Sequence, residues 1–179
     1  MNVIQTGLKD CVIIEPKVFG DERGFFLETF QAERYAELAG INLPFVQDNY
    51  SRSSKGVLRG LHFQKKKPQG KLVRVVRGAV FDVAVDIRLD SSTFGKWEGV
   101  ILSEENKRQF WVPPGFAHGF LVITNEADFE YKCTDYYDPS DEGSIIWDDV
   151  DINIKWPENI NIKLSEKDTR APGFKGLVF

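Results

Sequence analysis

The chain has 179 residues, of which 42% are hydrophobic and 28% charged, and its net charge is −4. This length suits one well-cored domain, which we expect to span residues 1–179. The negative charge argues against general nucleic-acid binding, which needs a basic surface. Cys11 and Cys133 form no disulfide framework, and neither a signal peptide nor a membrane-length apolar run is found. We therefore expect a cytoplasmic protein with no nucleic-acid or membrane partner.

The first third of the chain mixes short β-like runs with one helix. A strand is predicted over 8–15, and an aromatic β-like run over 23–30. Apolar residues recur at i, i+3, i+4 and i+7 within 31–39, which predicts a helix. Residues 44–50 are predicted to be extended, and the serine-rich segment 51–56 is predicted to form a turn.

The remainder of the chain has the pattern of a β protein. Residues 71–87 predict two strands around Gly78, because apolar side chains alternate with the others at a period of two. Further strands are predicted near 97–102, 109–112, 118–123 and 128–135, with a short helical turn over 165–172. Many short strands at this spacing indicate an all-β, antiparallel sandwich or barrel.

Residues 58–71 combine three side chains with complementary chemistry. His62 can exchange protons near neutral pH, and the planar guanidinium of Arg59 suits phosphate. Lys71 can stabilise an oxyanion. This combination indicates proton transfer on a phosphorylated substrate. An apolar stretch with one histidine also fits an ordinary core residue, so the local pattern leaves both interpretations open.

The spacing of Arg59 and His62 sets a geometric condition on this site. Residues three apart on a regular strand point to opposite faces of the sheet. If both side chains line one site, the strand must be irregular between them. Gly60 is the position where a bulge would be tolerated.

The second histidine, His118, follows a proline–glycine turn at the start of a predicted strand. The spacing of proline, glycine and histidine in 113–120 resembles the second motif of the cupin superfamily, a group of jelly-roll barrels. In metal-binding cupins a first motif supplies two further histidines and a glutamate, but 60–64 offers only His62. We therefore expect no metal and no other cofactor, with a metal-dependent cupin isomerase or oxygenase as an alternative.

Several motifs then occur in an order that resembles one family over nearly the whole chain. They include Arg23-Gly24-Phe25-Phe26, Gln47-Asp48-Asn49, Gln69-Gly70-Lys71, Tyr131-Lys132 and Leu164-Ser165-Glu166-Lys167-Asp168, together with the stretches around the two histidines. This series is similar to the dTDP-4-dehydrorhamnose 3,5-epimerase family. The resemblance implies a cupin jelly roll with a few short helices, a metal-independent homodimer and a dTDP-4-keto-6-deoxy sugar as substrate.

The chemistry of that family assigns roles to individual residues. Inversion beside a carbonyl needs a base, an oxyanion stabiliser and an acid on the opposite side. By resemblance, His62 is the base that Asp168 orients, Lys71 lies by the enolate oxygen, and Tyr131 is the opposite-face acid. The resemblance places the substrate-binding positions at Arg23, Glu28, Gln47, Asn49, Arg59, His118, Glu142 and Lys167, with Arg23 and Arg59 on the diphosphate.

Plainer interpretations of these residues remain open. Asp168 could merely cap a helical turn that begins at Ser165, and Tyr131 could be a core residue. An epimerase acting at C3 alone, or a non-catalytic module that binds a sugar nucleotide, would share the same pocket. The joint presence of His62, Asp168, Lys71 and Tyr131 weighs against a pure binder, since binding alone needs no base and acid on opposite faces.

Overall fold

The structure, a computed structural model, describes residues 1–177 and consists mainly of antiparallel strands. The strands are β1 (Asn2–Gln5), β2 (Val12–Glu15), β3 (Val18–Asp21), β4 (Gly24–Leu27), β5 (Gln47–Ser54), β6 (Leu58–Gln64), β7 (Lys71–Arg77), β8 (Ala79–Asp86), β9 (Trp97–Ser103), β10 (Gln109–Val112), β11 (Phe116–Val122), β12 (Glu126–Cys133) and β13 (Glu142–Ser144). The helices are α1 (Ala32–Ala39) and α2 (Glu166–Thr169), and a 3-10 turn covers Phe174–Gly176.

Two sheets build the body of the molecule. One has six strands in the order β1-β2-β10-β7-β12-β5, and the other has five in the order β13-β6-β11-β8-β9. Strands β3 and β4 form a separate two-stranded hairpin. The predicted all-β cupin jelly roll with a few short helices is confirmed. None of the helices within residues 1–177 is long and apolar enough to cross a membrane.

The central strand β8 shows how the sequence builds this architecture. Val80 belongs to the cluster between the sheets, where it meets residues such as Phe129 of the six-stranded sheet. Its neighbours Val83 and Val85 face the other way, into a second cluster that includes Ile145 from the C-terminal part of the chain. Both faces of the strand are therefore buried, which is why apolar residues occupy both sets of alternating positions.

Helix α1 covers part of the outer face of the six-stranded sheet. The Gln31 side chain accepts a hydrogen bond from the backbone of Arg34, and Gly40 ends the helix in the left-handed conformation. Tyr35 is buried against this sheet, and its hydroxyl donates to Oε1 of Gln109 at 2.8 Å. The predicted helix over 31–39 is confirmed to within a residue.

Some predicted boundaries were wrong. The predicted turn over 51–56 belongs largely to β5, which continues to Ser54 and pairs along its length with β12. Arg52 there forms an ion pair with Asp128 at 2.6 Å. Cross-strand partners thus override the weak strand propensity of serine. The strand predicted over 8–15 begins only at Val12, and β1 and β13 were not predicted.

Candidate active site

A cavity of about 620 Å³ has walls from both sheets. It is closed on one side by the segment that includes α2. Ten of the twelve predicted site residues line it: Gln47, Asn49, Arg59, His62, Lys71, His118, Tyr131, Glu142, Lys167 and Asp168. The other two, Arg23 and Glu28, do not. The fold therefore gathers residues from six strands and the C-terminal turn into one site.

The irregularity expected between Arg59 and His62 is present in β6. Arg59 lies opposite Phe120 and His62 opposite His118, so three steps along β6 match two steps along β11. Gly60 takes φ 126°, a value that favours glycine, and an added Cβ there would lie 2.6 Å from the Cα atom of Gly119. This bulge lets both side chains face the cavity.

His62 and Asp168 form a close pair at the cavity wall. Nε2 of His62 lies 2.6 Å from Oδ1 of Asp168, whose side chain is almost fully buried. Ser165 accepts a hydrogen bond from the Asp168 backbone at 3.1 Å, and its hydroxyl donates to Oδ2 at 2.8 Å. The predicted cap and the predicted carboxylate–histidine pair therefore coexist: the backbone of Asp168 belongs to the capped turn, while its carboxylate reaches the imidazole.

The charge state of Asp168 follows from its contacts. Burial raises the pKa of Asp168, but the hydrogen bonds of His62 and Ser165 outweigh burial and hold that pKa below its ordinary 3.8. The group is therefore a carboxylate at neutral pH and can only accept hydrogen bonds. Nε2 of His62 must carry the proton, which leaves Nδ1 with the free lone pair.

Lys71 and Tyr131 come from the opposite sheet. Nζ of Lys71 lies 5.9 Å from the centre of the Tyr131 ring, and both residues line the cavity. Burial lowers the pKa of Lys71 and raises that of Tyr131. Tyr131 is therefore a protonated phenol at neutral pH, available as a donor. Tyr131 also packs against the core cluster, where its ring contacts that of Phe129. It therefore contributes to the core as well as to the cavity wall.

Asp82 is a buried partner of a site residue that the sequence analysis missed. His118 lies with Nε2 2.9 Å from Oδ1 of the fully buried Asp82, on the neighbouring strand β8. A signal was available, because Asp82 occupies the same inward face as Val80 and Ala84. A charged residue at such a position requires a partner. His118 also lies directly opposite His62 across β11 and β6.

The mouth of the cavity carries a small polar network. Nζ of Lys167 lies 2.7 Å from Oε2 of Glu142, and the hydroxyl of Tyr137 donates to the same oxygen at 3.0 Å. Burial raises the pKa of Glu142, but the contact with Lys167 helps to keep it below its ordinary value. Nε of Arg59 donates to Oγ of Ser53 at 3.1 Å. Tyr137 and Ser53 were not predicted as site neighbours.

The hairpin β3–β4 carries Arg23 at its turn, and Glu28 directly follows it. Arg23 pairs with Asp21 at 2.5 Å, and Glu28 forms an ion pair with Arg34. The hairpin also exposes Phe19, Phe25 and Phe26 at 52%, 62% and 68% of their full surface. Within one chain, the two predicted binding residues therefore lie on a solvent-facing aromatic surface and not in the cavity.

Within residues 1–177, no group of three or more histidine, cysteine, aspartate or glutamate side chains is arranged to hold a metal ion. The two histidines each contact one carboxylate, as described above. The expectation that the protein works without a metal stays a prediction.

Known proteins resemble this chain along its length. The family model of dTDP-4-dehydrorhamnose 3,5-epimerase matches residues 5–176. The epimerase of that name from Salmonella typhimurium is 58% identical over 96% of this chain and 94% of its own. A solved dTDP-6-deoxy-D-glucose-3,5-epimerase from Legionella pneumophila, in complex with dTDP-4-keto-L-rhamnose, is 60% identical, with TM-score 0.96 over 99% of this chain and 94% of its own. The chain belongs to the dTDP-4-dehydrorhamnose 3,5-epimerase family.

Proposed function

We propose that this chain, acting as one domain over residues 1–179, epimerises dTDP-4-dehydro-6-deoxy-D-glucose at C3 and C5 to dTDP-4-dehydro-L-rhamnose. Family membership over nearly the whole chain supports this reaction. The observation that carries it is the placement of His62 and Tyr131 on different sheets that face one cavity. Inversion of a carbon requires proton removal from one side and proton return from the other.

The first step is proton abstraction by His62. The 4-keto group acidifies the C–H bonds on both flanking carbons. Nδ1 of His62 takes one of these protons, and the electron pair of the broken C–H bond moves into the carbonyl to form an enolate. The Asp168 carboxylate, 2.6 Å from the imidazole, stabilises the imidazolium. The ammonium of Lys71 stabilises the negative oxygen.

The second step is proton return by Tyr131. Its phenol donates a proton to the carbon from the opposite wall, which inverts the centre and regenerates the ketone. One inversion leaves His62 protonated and Tyr131 ionised. Proton exchange with water must restore both groups before the second carbon reacts, so solvent hydrogen enters the product at each inverted centre.

The nucleotide half of the substrate binds toward the mouth of the cavity. Nε of Arg59 donates a hydrogen bond to Oγ of Ser53. This bond orients the guanidinium and leaves its terminal N–H groups for a diphosphate. The proposal includes a cytoplasmic location and no nucleic-acid or membrane partner, and the net charge of −4 argues against general nucleic-acid binding.

The functional unit is a homodimer. The exposed phenylalanines of the β3–β4 hairpin form an apolar surface of the kind that marks protein association. Arg23 projects from the same hairpin, outside the cavity of its own chain. A second copy that covers the hairpin brings Arg23 and Glu28 to the diphosphate end of its own cavity, which accounts for two binding positions that one chain leaves unused.

The reaction is tested by NMR of dTDP-4-keto-6-deoxyglucose incubated with the protein in D2O, with a sample lacking protein as control. Deuterium at both C3 and C5, with formation of the L-rhamno product, is the expected result. Deuterium at C3 alone would show that the protein epimerises only that position, and the proposed activity at both carbons would be wrong. The absence of any exchange, with dTDP still bound, would reduce the protein to a binding module.

A further inference from the structure

A chain of hydrogen bonds runs along one wall of the cavity and ends at a buried thiol. The backbone N–H of Tyr137 donates to Oε1 of Gln47 at 2.9 Å. Nε2 of Gln47 donates to Oδ1 of Asn49 at 3.1 Å. Nδ2 of Asn49 in turn donates to Sγ of Cys133 at 3.6 Å. Two amides that line the cavity are thus connected to each other and held at both ends.

The direction of this chain is determined at Tyr137. A backbone N–H can only donate, so Gln47 must turn its oxygen toward it and its NH2 group toward Asn49. Asn49 therefore offers its oxygen to Gln47 and its NH2 group to Cys133. Flipping either amide would set two N–H groups against each other. The orientation of both amides follows from the contacts and needs no further assumption.

Cys133 lies among the predicted catalytic residues. It follows Tyr131 by two positions on β12 and is only 1% exposed. Across the sheet it pairs with Lys71 on β7 and with Gln47 on β5. It is not among the cavity-lining residues found within 1–177. Any influence of its sulfur on a bound ligand must therefore pass through a neighbour, and Asn49 is the lining residue whose side chain donates a hydrogen bond to the sulfur.

We propose that Cys133 is a positioning residue, whose sulfur anchors the amide of Asn49 and through it that of Gln47, so that each amide presents one N–H to the sugar nucleotide. Each NH2 group has two N–H bonds, and the chain uses one of them. The second is left for the hydroxyl and phosphate oxygens in which a sugar nucleotide is rich. This role rests on the proposed function, because that function supplies the ligand.

Loss of the sulfur removes the acceptor at the end of the chain. The N–H of Asn49 would then have no partner on that side, and its side chain would rotate among conformations that do not suit the ligand. Preorganised groups bind better because less ordering is needed on association. A single hydrogen bond contributes about two- to tenfold to an equilibrium constant, which sets the size of the effect expected here.

Two substitutions at Cys133 separate anchoring from packing. Cys133→Ala removes the acceptor, whereas Cys133→Ser removes the same sulfur but restores an acceptor oxygen. We expect Cys133→Ala to raise KM about two- to tenfold with kcat changed less than about twofold. Cys133→Ser should keep KM close to that of the unmodified protein. Equal KM values in the two variants would show that the acceptor atom does not matter. Cys133 would then have only a packing role, and the inference would be wrong.

The other cysteine supplies a matched control. Cys11 is also fully buried, but it lies in the core and its thiol donates to the backbone oxygen of Trp111 at 3.1 Å. Cys11→Ala should lower the melting temperature without changing KM. A rise of KM in Cys11→Ala equal to that in Cys133→Ala would show a general response to core loosening, and the anchoring role would be wrong.

A substrate-free measurement distinguishes this inference from the proposed reaction. The side-chain NH2 signals of Asn49 and Gln47 in ¹H–¹⁵N NMR spectra should shift in Cys133→Ala and return toward their original positions in Cys133→Ser. If the unmodified protein fails to epimerise the sugar while these signals still respond, the proposed function is wrong and the anchoring stands. If the Asn49 signal does not shift in Cys133→Ala, the anchoring role is wrong, whether or not the protein epimerises the sugar.

Discussion

Nε2 of His62 lies 2.6 Å from Oδ1 of Asp168, although 106 positions separate the two residues in the chain. His62 belongs to a strand of the five-stranded sheet, and Asp168 to the short C-terminal helix α2, which packs against that strand. The contact forms only because the C-terminal segment packs against the sheet. The Asp168 carboxylate determines which imidazole nitrogen of His62 is free to act as the base, so this packing is part of the active site.

Replacement of His62 by asparagine tests the base directly. Asparagine is polar and of similar size, but it cannot accept a proton near neutral pH. We expect both solvent exchange and epimerisation to fall by at least about a hundredfold. Affinity for dTDP, measured by calorimetry, should stay near that of the unmodified protein. Continued deuterium exchange in a folded His62→Asn variant would remove His62 from this role.

Tyr131→Phe should separate exchange from inversion. His62 can still remove a proton and return deuterium to the same face, while proton return from the opposite wall is lost. The inversion rate should fall by about a hundredfold to ten-thousandfold, and the ratio of exchange to inversion should rise. Tyr50→Phe, a matched change on the outer face of the same sheet, serves as control. An equal fall of both rates would contradict the two-sided mechanism.

Asp168 should make stability depend on pH in a defined direction. Its contacts hold its pKa in the folded state below the ordinary 3.8, so its stabilising contribution is complete above that value. The contribution disappears as the pH falls through the lower folded-state pKa. We expect Asp168→Asn to reduce the free energy of unfolding by about 1.5–3 kcal/mol near pH 7, since the lost hydrogen bonds involve a charged group.

Urea titrations at several pH values measure this effect. The difference between the unmodified protein and Asp168→Asn should shrink as the pH falls below 3.8. A difference that stays constant or grows as the pH falls from 3.8 to about 3 would show that the carboxylate is not stabilised by its contacts in the folded state.

A subunit-mixing experiment tests the contribution of Arg23 across a dimer interface. Arg23→Ala and His62→Asn chains are each expected to be poorly active at limiting substrate. If Arg23 acts in the partner's cavity, a mixed dimer contains one cavity with an intact His62 and an intact Arg23 from the other chain. Unfolding and refolding the two variants together should therefore restore activity above that of either alone.

The control for this experiment is each variant refolded by itself. If Arg23 acted within its own chain, every cavity of the mixed dimer would keep one defect and no activity would return. Sedimentation should show a dimer for the unmodified protein, and Phe26→Ser, which alters an exposed apolar side chain, should shift it toward monomer. A monomeric unmodified protein would contradict the dimer proposal.

Chelation tests metal independence. The first cupin motif is absent from the sequence, and each histidine contacts a carboxylate. We expect kcat to be unchanged after exhaustive treatment with EDTA, and elemental analysis to find no stoichiometric transition metal. Loss of activity that a single divalent ion restores would overturn this expectation.

The sequence by itself determined the features that depend on local pattern. Alternation along β8 predicted a strand, because side chains on a strand have a strict period of two. The spacing of Arg59 and His62 required an irregular strand, and Gly60 was the residue that could accommodate it. The ordered motifs around Lys71 and Tyr131 predicted the family and the residues of the site.

Only the tertiary structure decided which of these residues meet. It placed Asp82 against His118, extended β5 through a serine-rich segment, connected Cys133 to Asn49 and left Arg23 outside the cavity of its own chain. Each of these relationships joins positions far apart in the chain or on different strands. Local propensity carries no information about such pairs, because they depend on which strands become neighbours when both sheets bury their apolar faces.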